Sequence, residues 1–346
     1  MEDQETIWGL ALGSGSARGW AHLGVVRALN ELGIRPKVIT GCSVGAMVGA
    51  AWATRQLEVL ERWALSLKRR DLVGFLDISL GGSLIKGERV FNLFERYRDL
   101  GIEDLPRTFG AVATDLETGE RRDFTSGPLL EAVRASMSMP GLLPPVHLDG
   151  RWLVDGGLTE PIPVRLCRRL GATRVIAVNL NRGIVEAAAS RQLVGDSGAE
   201  DVDDIRGSGA RRGGLVAVGD RLDVLTQRLR SRFEDTGEVE APPPKTGAKP
   251  PPSPGLYDVM IGALHVLQDR LLTYSLERDP PDYELCPQLG DIGMLEVYRA
   301  EEAITEGRRV VEAASTELLA MAQGVRAEDS AAEDKENPAG REPAGS

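Results

Sequence analysis

Apolar positions along this chain alternate between short continuous runs and runs spaced three and four apart. Ile7-Trp8-Gly9-Leu10-Ala11-Leu12 is a continuous run that reads as a buried strand. From about Trp20 to Leu32 the apolar positions Leu23, Val26, Leu29 and Leu32 share one helical face, and Gly33 supplies a helix C-terminal cap. Val38-Ile39-Thr40 is a second short strand, and Ala46 to Ala53 a small-residue helix. Phe109–Asp115, a helix after Pro128, and Val175–Asn179 continue the alternation. Strands that alternate with helices predict an α/β fold whose mainly parallel sheet is covered by helices.

The pattern weakens twice. Asp71 to Leu105 is irregular. It suits either a wall or flap over a bound chain, with Phe75, Leu76 and Leu84 as apolar contacts, or a plain surface excursion. Residues 182–255 read as a flexible Gly/Pro-rich insertion, because 207–214 and 241–254 are too rich in Gly and Pro to build a core. Within it, Leu222, Leu225, Leu229 and Phe233 recur at helical spacing beside Arg221, Arg228, Arg230 and Arg232. Such a basic stripe fits a membrane surface or, more commonly, packing on its own protein. Residues 256–323 return to globular character, with a helix near Tyr257–Leu276, a strand near Tyr283–Cys286 and a final helix near Ala303–Met321. They are expected to complete the domain begun by residues 7–181, and 324–346 reads as a disordered tail.

Charge narrows the partners. The 346 residues carry a net charge of −11, which argues against nucleic acid and against broad attraction to anionic membranes. Any lipid contact is expected to be transient and largely hydrophobic. Cys42, Cys167 and Cys286 are isolated, which fits a reducing compartment without a disulfide framework. The acidic start, Met1 to Glu5, runs into a strand, and no apolar stretch approaches membrane-spanning length. These features predict a cytoplasmic protein. Three scattered histidines and no Cys-x-x-Cys offer no metal constellation, and no cofactor is expected.

Three clusters carry candidate chemistry. Gly41-Cys42-Ser43-Val44-Gly45 lies between a strand and a helix, so Ser43 sits at the apex of a sharp turn. A serine hydroxyl becomes a nucleophile when it is held exposed beside a base and oxyanion donors, and small neighbours permit that turn. An ordinary strand-to-helix turn fits the same five residues. Gly13-Ser14-Gly15-Ser16-Ala17-Arg18-Gly19 opens the first helix, where outward backbone N–H groups stabilise negative charge. It lacks the glycine spacing of a dinucleotide loop and the Gly-Lys-Ser/Thr end of an NTPase loop. An oxyanion hole fits best, with tight packing as the alternative. Asp155-Gly156-Gly157 ends the run that follows the hairpin signal Asp149-Gly150. Asp155 is a candidate general base there, or part of a simple turn.

Together these clusters resemble the patatin-like phospholipase family. Leu12 to Gly24, Gly41 to Gly45 with its helix, and Ala135 to Pro163 carry the resemblance, which extends through Val112-Ala113-Thr114-Asp115-Leu116. It implies a three-layer α/β fold and a serine acyl hydrolase acting on lipid or acyl esters through an acyl-enzyme. It implies catalytic Ser43 and Asp155, elbow glycines Gly41 and Gly45, and support from Gly156 and Gly157. The oxyanion hole would come from Gly13, Ser14, Gly15, Ser16, Arg18 and Gly19. Ser14 and Ser16 depart from the family's all-glycine loop and restrict positive φ angles. Two other readings stay open. One is an α/β-hydrolase esterase or thioesterase with the triad Ser43, Asp155 and His265. The other is a catalytically weak regulatory protein on the same fold. His22 reads as a packed residue behind the glycine loop, and His147 lies in the hairpin before Asp155.

Overall fold

A computed structural model describes residues 6–69, 91, 97–182 and 256–323. The Phe75, Leu76 and Leu84 contacts, the arginine stripe at 221–232 and the tail lie outside them. The described strands are β1 (Trp8–Leu12), β2 (Val38–Cys42), β3 (Thr108–Asp115), β4 (Arg121–Phe124), β5 (Val146–Leu148), β6 (Arg151–Asp155), β7 (Arg174–Val178) and β8 (Tyr283–Leu285). The helices are α1 (Ala21–Glu31), α2 (Val44–Ala53), α3 (Leu57–Ser66), α4 (Leu129–Met137), α5 (Val164–Arg169), α6 (Leu256–Arg278), α7 (Ala300–Ala313) and α8 (Ser315–Ala322).

The strands form one sheet along the path β5-β6-β3-β2-β1-β7-β8, with β4 also on β3. The centre is parallel: β1 pairs with β2 and β7, β2 with β3, and β7 with β8. The β3–β4, β3–β6 and β5–β6 pairs are antiparallel. β1 is buried along its whole length, as a central parallel strand covered on both faces must be. Leu10 and Leu12 join Ile39, Ile176 and Val178 on one face, under α1 to α4 and α7. Ala11 joins Val38, Val175 and Ala177 on the other, under Val164 and Cys167 of α5 and Leu272 of α6. The sheet is therefore the middle of three layers, as the resemblance implied.

Asp149 (φ 51°) and Gly150 (φ 75°) make the two-residue turn of the β5–β6 hairpin, Leu148 pairing with Arg151. After Leu32, Gly33 N–H donates to Asn30 O and Ile34 N–H to Leu29 O, closing α1 with the expected cap. The final helix differs from expectation. It is two helices, α7 and α8, broken at Ala314 (φ −90°, ψ 2°). Alanine carries no stop signal, so nothing local marked the break. α7 packs on α1 backbone to backbone. A Cβ on Gly24 would come within 2.0 Å of Ile304 O, and one on Gly307 within 2.0 Å of Ala21 O.

Candidate active site

The registers around β3 explain why two distant segments meet. β2 pairs with Thr108–Val112 and β4 with Ala111–Thr114, so their overlap puts β2 and β4 on opposite edges of β3. β6 pairs with Ala113–Asp115 and overlaps β4 as well, so β6 shares the β2 edge. The two strands run toward each other along that edge. Both end there, with Cys42 opposite Val112 and Asp155 opposite Ala113. Cys42 Sγ lies 4.0 Å from Asp155 Oδ1. The next residue on β2 is Ser43.

Ser43 has φ 56° and ψ −125°, a strained conformation for any residue with a side chain. Such strain costs about 1–3 kcal/mol and persists only where the surroundings enforce it. Ser43 N–H donates to Ser136 Oγ of α4 at 2.9 Å, and Ser43 O accepts from the N–H groups of Ala46 and Met47. Gly41 and Gly45 make room for the elbow. A Cβ on Gly41 would meet Gly45 O at 2.4 Å, and one on Gly45 would meet Leu12 O at 2.2 Å. Gly45 thus lets α2 press against the end of β1.

Asp155 is 2% exposed. Its N–H donates to Ser138 O and its carbonyl accepts from Thr114 Oγ1. Oδ1 accepts from Gly157 N–H at 2.7 Å, while Oδ2 is buried without a hydrogen-bond partner among the described residues. Burial raises the carboxyl pKa to about 6, against the opposing pull of the Ser43 hydroxyl and the Gly157 N–H. Gly156 packs on the chain opposite, since a Cβ there would meet Val112 O at 2.1 Å. Burial and the Asp155 charge push the Cys42 thiol well above its usual range, so it is an inert neighbour.

The glycine loop divides by role. Gly13 N–H donates to Val178 O, Ser14 N–H to Pro161 O and Arg18 N–H to Gly15 O. These three amides are used in holding the loop and are not donors for an oxyanion. Gly19 is a spacer, because a Cβ there would meet Val44 Cγ2 at 2.1 Å. Gly15 and Ser16 N–H make no hydrogen bond among the described residues, and both residues line a pocket with Ser43 and Asp155. Ser16 has φ 51°, so the loop adopts the positive angle that its serine disfavours. The Arg18 side chain is also structural. Its Nε donates to Ile292 O at 2.9 Å and its Nη1 to Asn181 Oδ1 at 3.3 Å. Ala17 N–H donates to Met294 O, so the 292–294 segment holds the loop from outside.

His22 and His147 stand apart from the pocket. His22 is fully buried, with Nε2 2.8 Å from Gly13 O. Burial lowers its pKa to about 4, so the neutral ring donates to that carbonyl and steadies the loop. His147 is exposed and its ring lies against Trp152. His265 belongs to α6, and its side chain lies outside the described residues. The pocket is narrow, about 10 Å³, enough for one water. Ser14, Arg18, Met139, Asn181, Met294 and Gln268 of α6 complete its lining. The sequence reading missed Ser136, Asn181 and Gln268. Ser136 lies inside the Ala135–Pro163 block, so its position was visible but its partner was not. No group of His, Cys, Asp and Glu among the described residues could hold a metal ion.

The chain is similar to known proteins over much of its length. The family profile for patatin-like phospholipase matches residues 10–168, which span β1 to α5. Uncharacterized NTE family proteins of Mycobacterium tuberculosis and Mycobacterium bovis are 34% identical over 323 residues, covering 86% of this chain and 88% of theirs. Neuropathy target esterase sws of Drosophila melanogaster is 34% identical over 180 residues, 50% of this chain but 13% of that protein. Human patatin-like phospholipase domain-containing protein 6 has the same identity over 49% of this chain and 13% of its own. Among solved structures, VipD from Legionella pneumophila aligns at a TM-score of 0.36 and 13% identity, over 96% of this chain and 79% of that one.

Proposed function

The chain belongs to the patatin-like phospholipase family, and from that premise we propose that it is a serine acyl hydrolase that cleaves carboxylic esters of lipids through Ser43 and Asp155. The observation that carries this reading is the meeting of β2 and β6 on one edge of β3. It brings a strained serine and a buried, half-unpartnered carboxylate to the wall of one pocket.

Above pH 6 Asp155 is ionised and accepts the Ser43 proton as Oγ attacks the ester carbonyl. The carbonyl oxygen gains charge, which the unpaired Gly15 and Ser16 N–H groups stabilise. Asp155 returns the proton to the leaving alcohol, and the acyl group stays on Ser43. Water then gives up a proton to Asp155 as it attacks the acyl carbon, the bond to Ser43 Oγ breaks as Asp155 returns that proton to it, and the acid is released. Low dielectric around the carboxylate strengthens each of these charge interactions. The lipid nature of the substrate rests on the relatives, of which the named esterase and phospholipase-domain proteins match over 13% of their own length.

The proposal includes the cytoplasmic setting expected from the sequence. It is supported by three free cysteines, and no described helix is long and apolar enough to cross a membrane. The decisive experiment is labelling of the full chain with a fluorophosphonate. We expect one adduct, on Ser43, absent in Ser43→Ala. A folded chain that takes no label on Ser43 would overturn the assignment.

A further inference from the structure

Helix α6 has two unlike sides. Gln268 is buried and lines the pocket that holds Ser43 and Asp155. Beside it on the helix surface, four positions before and three after, stand the half-buried Leu264 and Leu271. The next row outward is Met260, Leu267 and Tyr274, spaced seven apart and exposed to 59%, 67% and 63%. Of nine exposed large apolar side chains among the described residues, five lie on α6. Residues 260–268 contain no Asp, Glu, Lys or Arg. A surface helix ordinarily carries its charges on the exposed side, so a bare apolar row marks a contact surface.

We propose that the Met260–Leu267–Tyr274 row of α6 is the surface by which the protein docks on a neutral lipid layer, at the rim of the Ser43 pocket. The proposal rests on the acyl-hydrolase reading, which supplies the lipid. Continuity selects the occupant: the element that reaches the pocket with Gln268 also carries the apolar row toward solvent. A lipid ester that reaches Ser43 while its neighbours stay in the layer brings that layer against the rim. The chemistry favours a zwitterionic surface. The net charge of the chain is −11 and the row itself carries none, so attraction comes from apolar burial.

The test uses the full chain with Ser43→Ala, so that vesicles stay intact. Flotation with phosphatidylcholine vesicles is compared with the same chain carrying Met260→Ser, Leu267→Ser and Tyr274→Ser. We expect the triple substitution to weaken binding roughly tenfold or more. Binding of the parent should change little between low and high salt. With Ser43 present, the triple variant should hydrolyse a soluble p-nitrophenyl butyrate at the parental rate. Equal flotation of both chains would overturn the proposal. So would a lipid-free dimer that the triple substitution dissolves, since a second copy would then own the surface. If the triple variant misfolds, a bimane dye on Leu267→Cys in a Cys286→Ser chain replaces it. A blue shift on adding vesicles supports docking, and an unchanged spectrum overturns it. Vesicle binding without any Ser43 labelling would instead sink the hydrolase reading while leaving the docking surface in place.

Discussion

Ser136 Oγ accepts the backbone N–H of Ser43 at 2.9 Å, so a fully buried hydroxyl on α4 holds the apex of the elbow. The bond satisfies an amide that the turn takes out of the β2 ladder. Its alignment fixes where the Ser43 side chain leaves the backbone.

Ser136→Ala should therefore lower kcat on p-nitrophenyl butyrate by roughly tenfold with little change in KM. It should cost about 1–3 kcal/mol in denaturant unfolding, the usual range for an orphaned buried donor. Unchanged kcat in a folded variant would show that the elbow is held by other means.

Asp155→Asn should lose activity by several orders of magnitude, as Ser43→Ala should. The same change should make the protein more stable at neutral pH. Burial raises the folded pKa from 3.8 to about 6. Protonation therefore favours the folded state. The folded state loses that advantage as pH rises through about 6. Two units correspond to about 3 kcal/mol at most. Thermal melts of parent and Asp155→Asn should differ at pH 7.5 and converge below pH 4.

Activity of the parent should fall as pH drops through about 6, because the base form of Asp155 is then lost. His22, held neutral with a pKa of about 4, should not shape that profile. His22→Leu should keep the same midpoint while lowering kcat about tenfold, as Gly13 O loses its donor. His147→Ala should leave rate and profile unchanged. A pH–rate profile for each variant checks all three statements. A midpoint that moves with either histidine would mean that the profile does not report Asp155, and severe loss of activity in a folded His265→Ala would point to the triad reading.

Gly307→Ala should destabilise the fold by about 3 kcal/mol or more, since the added Cβ meets the Ala21 carbonyl at 2.0 Å. Melting temperature should fall by several degrees. An unchanged melting temperature would mean that α7 does not pack on α1 as described.

Much of this was legible in the sequence because it is local. The strand-turn-helix around Ser43 and the turn after Asp155 are written in consecutive residues. So are the buried runs of β1, β2 and β7. What was not legible depends on register or on distant partners. β4 is Arg121-Arg122-Asp123-Phe124, a short charged strand that no apolar alternation reveals. Yet its overlap on β3 is what sorts β2 and β6 onto one edge. The loop appeared to offer six donors, and the partners that occupy Gly13, Ser14 and Arg18 lie beyond residue 160, except for Gly15 O. Gln268 is one polar residue in an apolar helix and signals nothing without the fold.

The attachment of Ala17 and Arg18 to Met294 and Ile292 has a bearing on biosynthesis. Ser43, Asp155 and the loop are all encoded before residue 160, but the loop's outer support is translated well after them. While the ribosome is still adding α6, the emerging chain has Ser43 and Asp155 without the segment that holds the glycine loop. On the acyl-hydrolase reading, competence then waits until residues 292–294 dock, and a chain that stops before them has Ser43 but lacks that support.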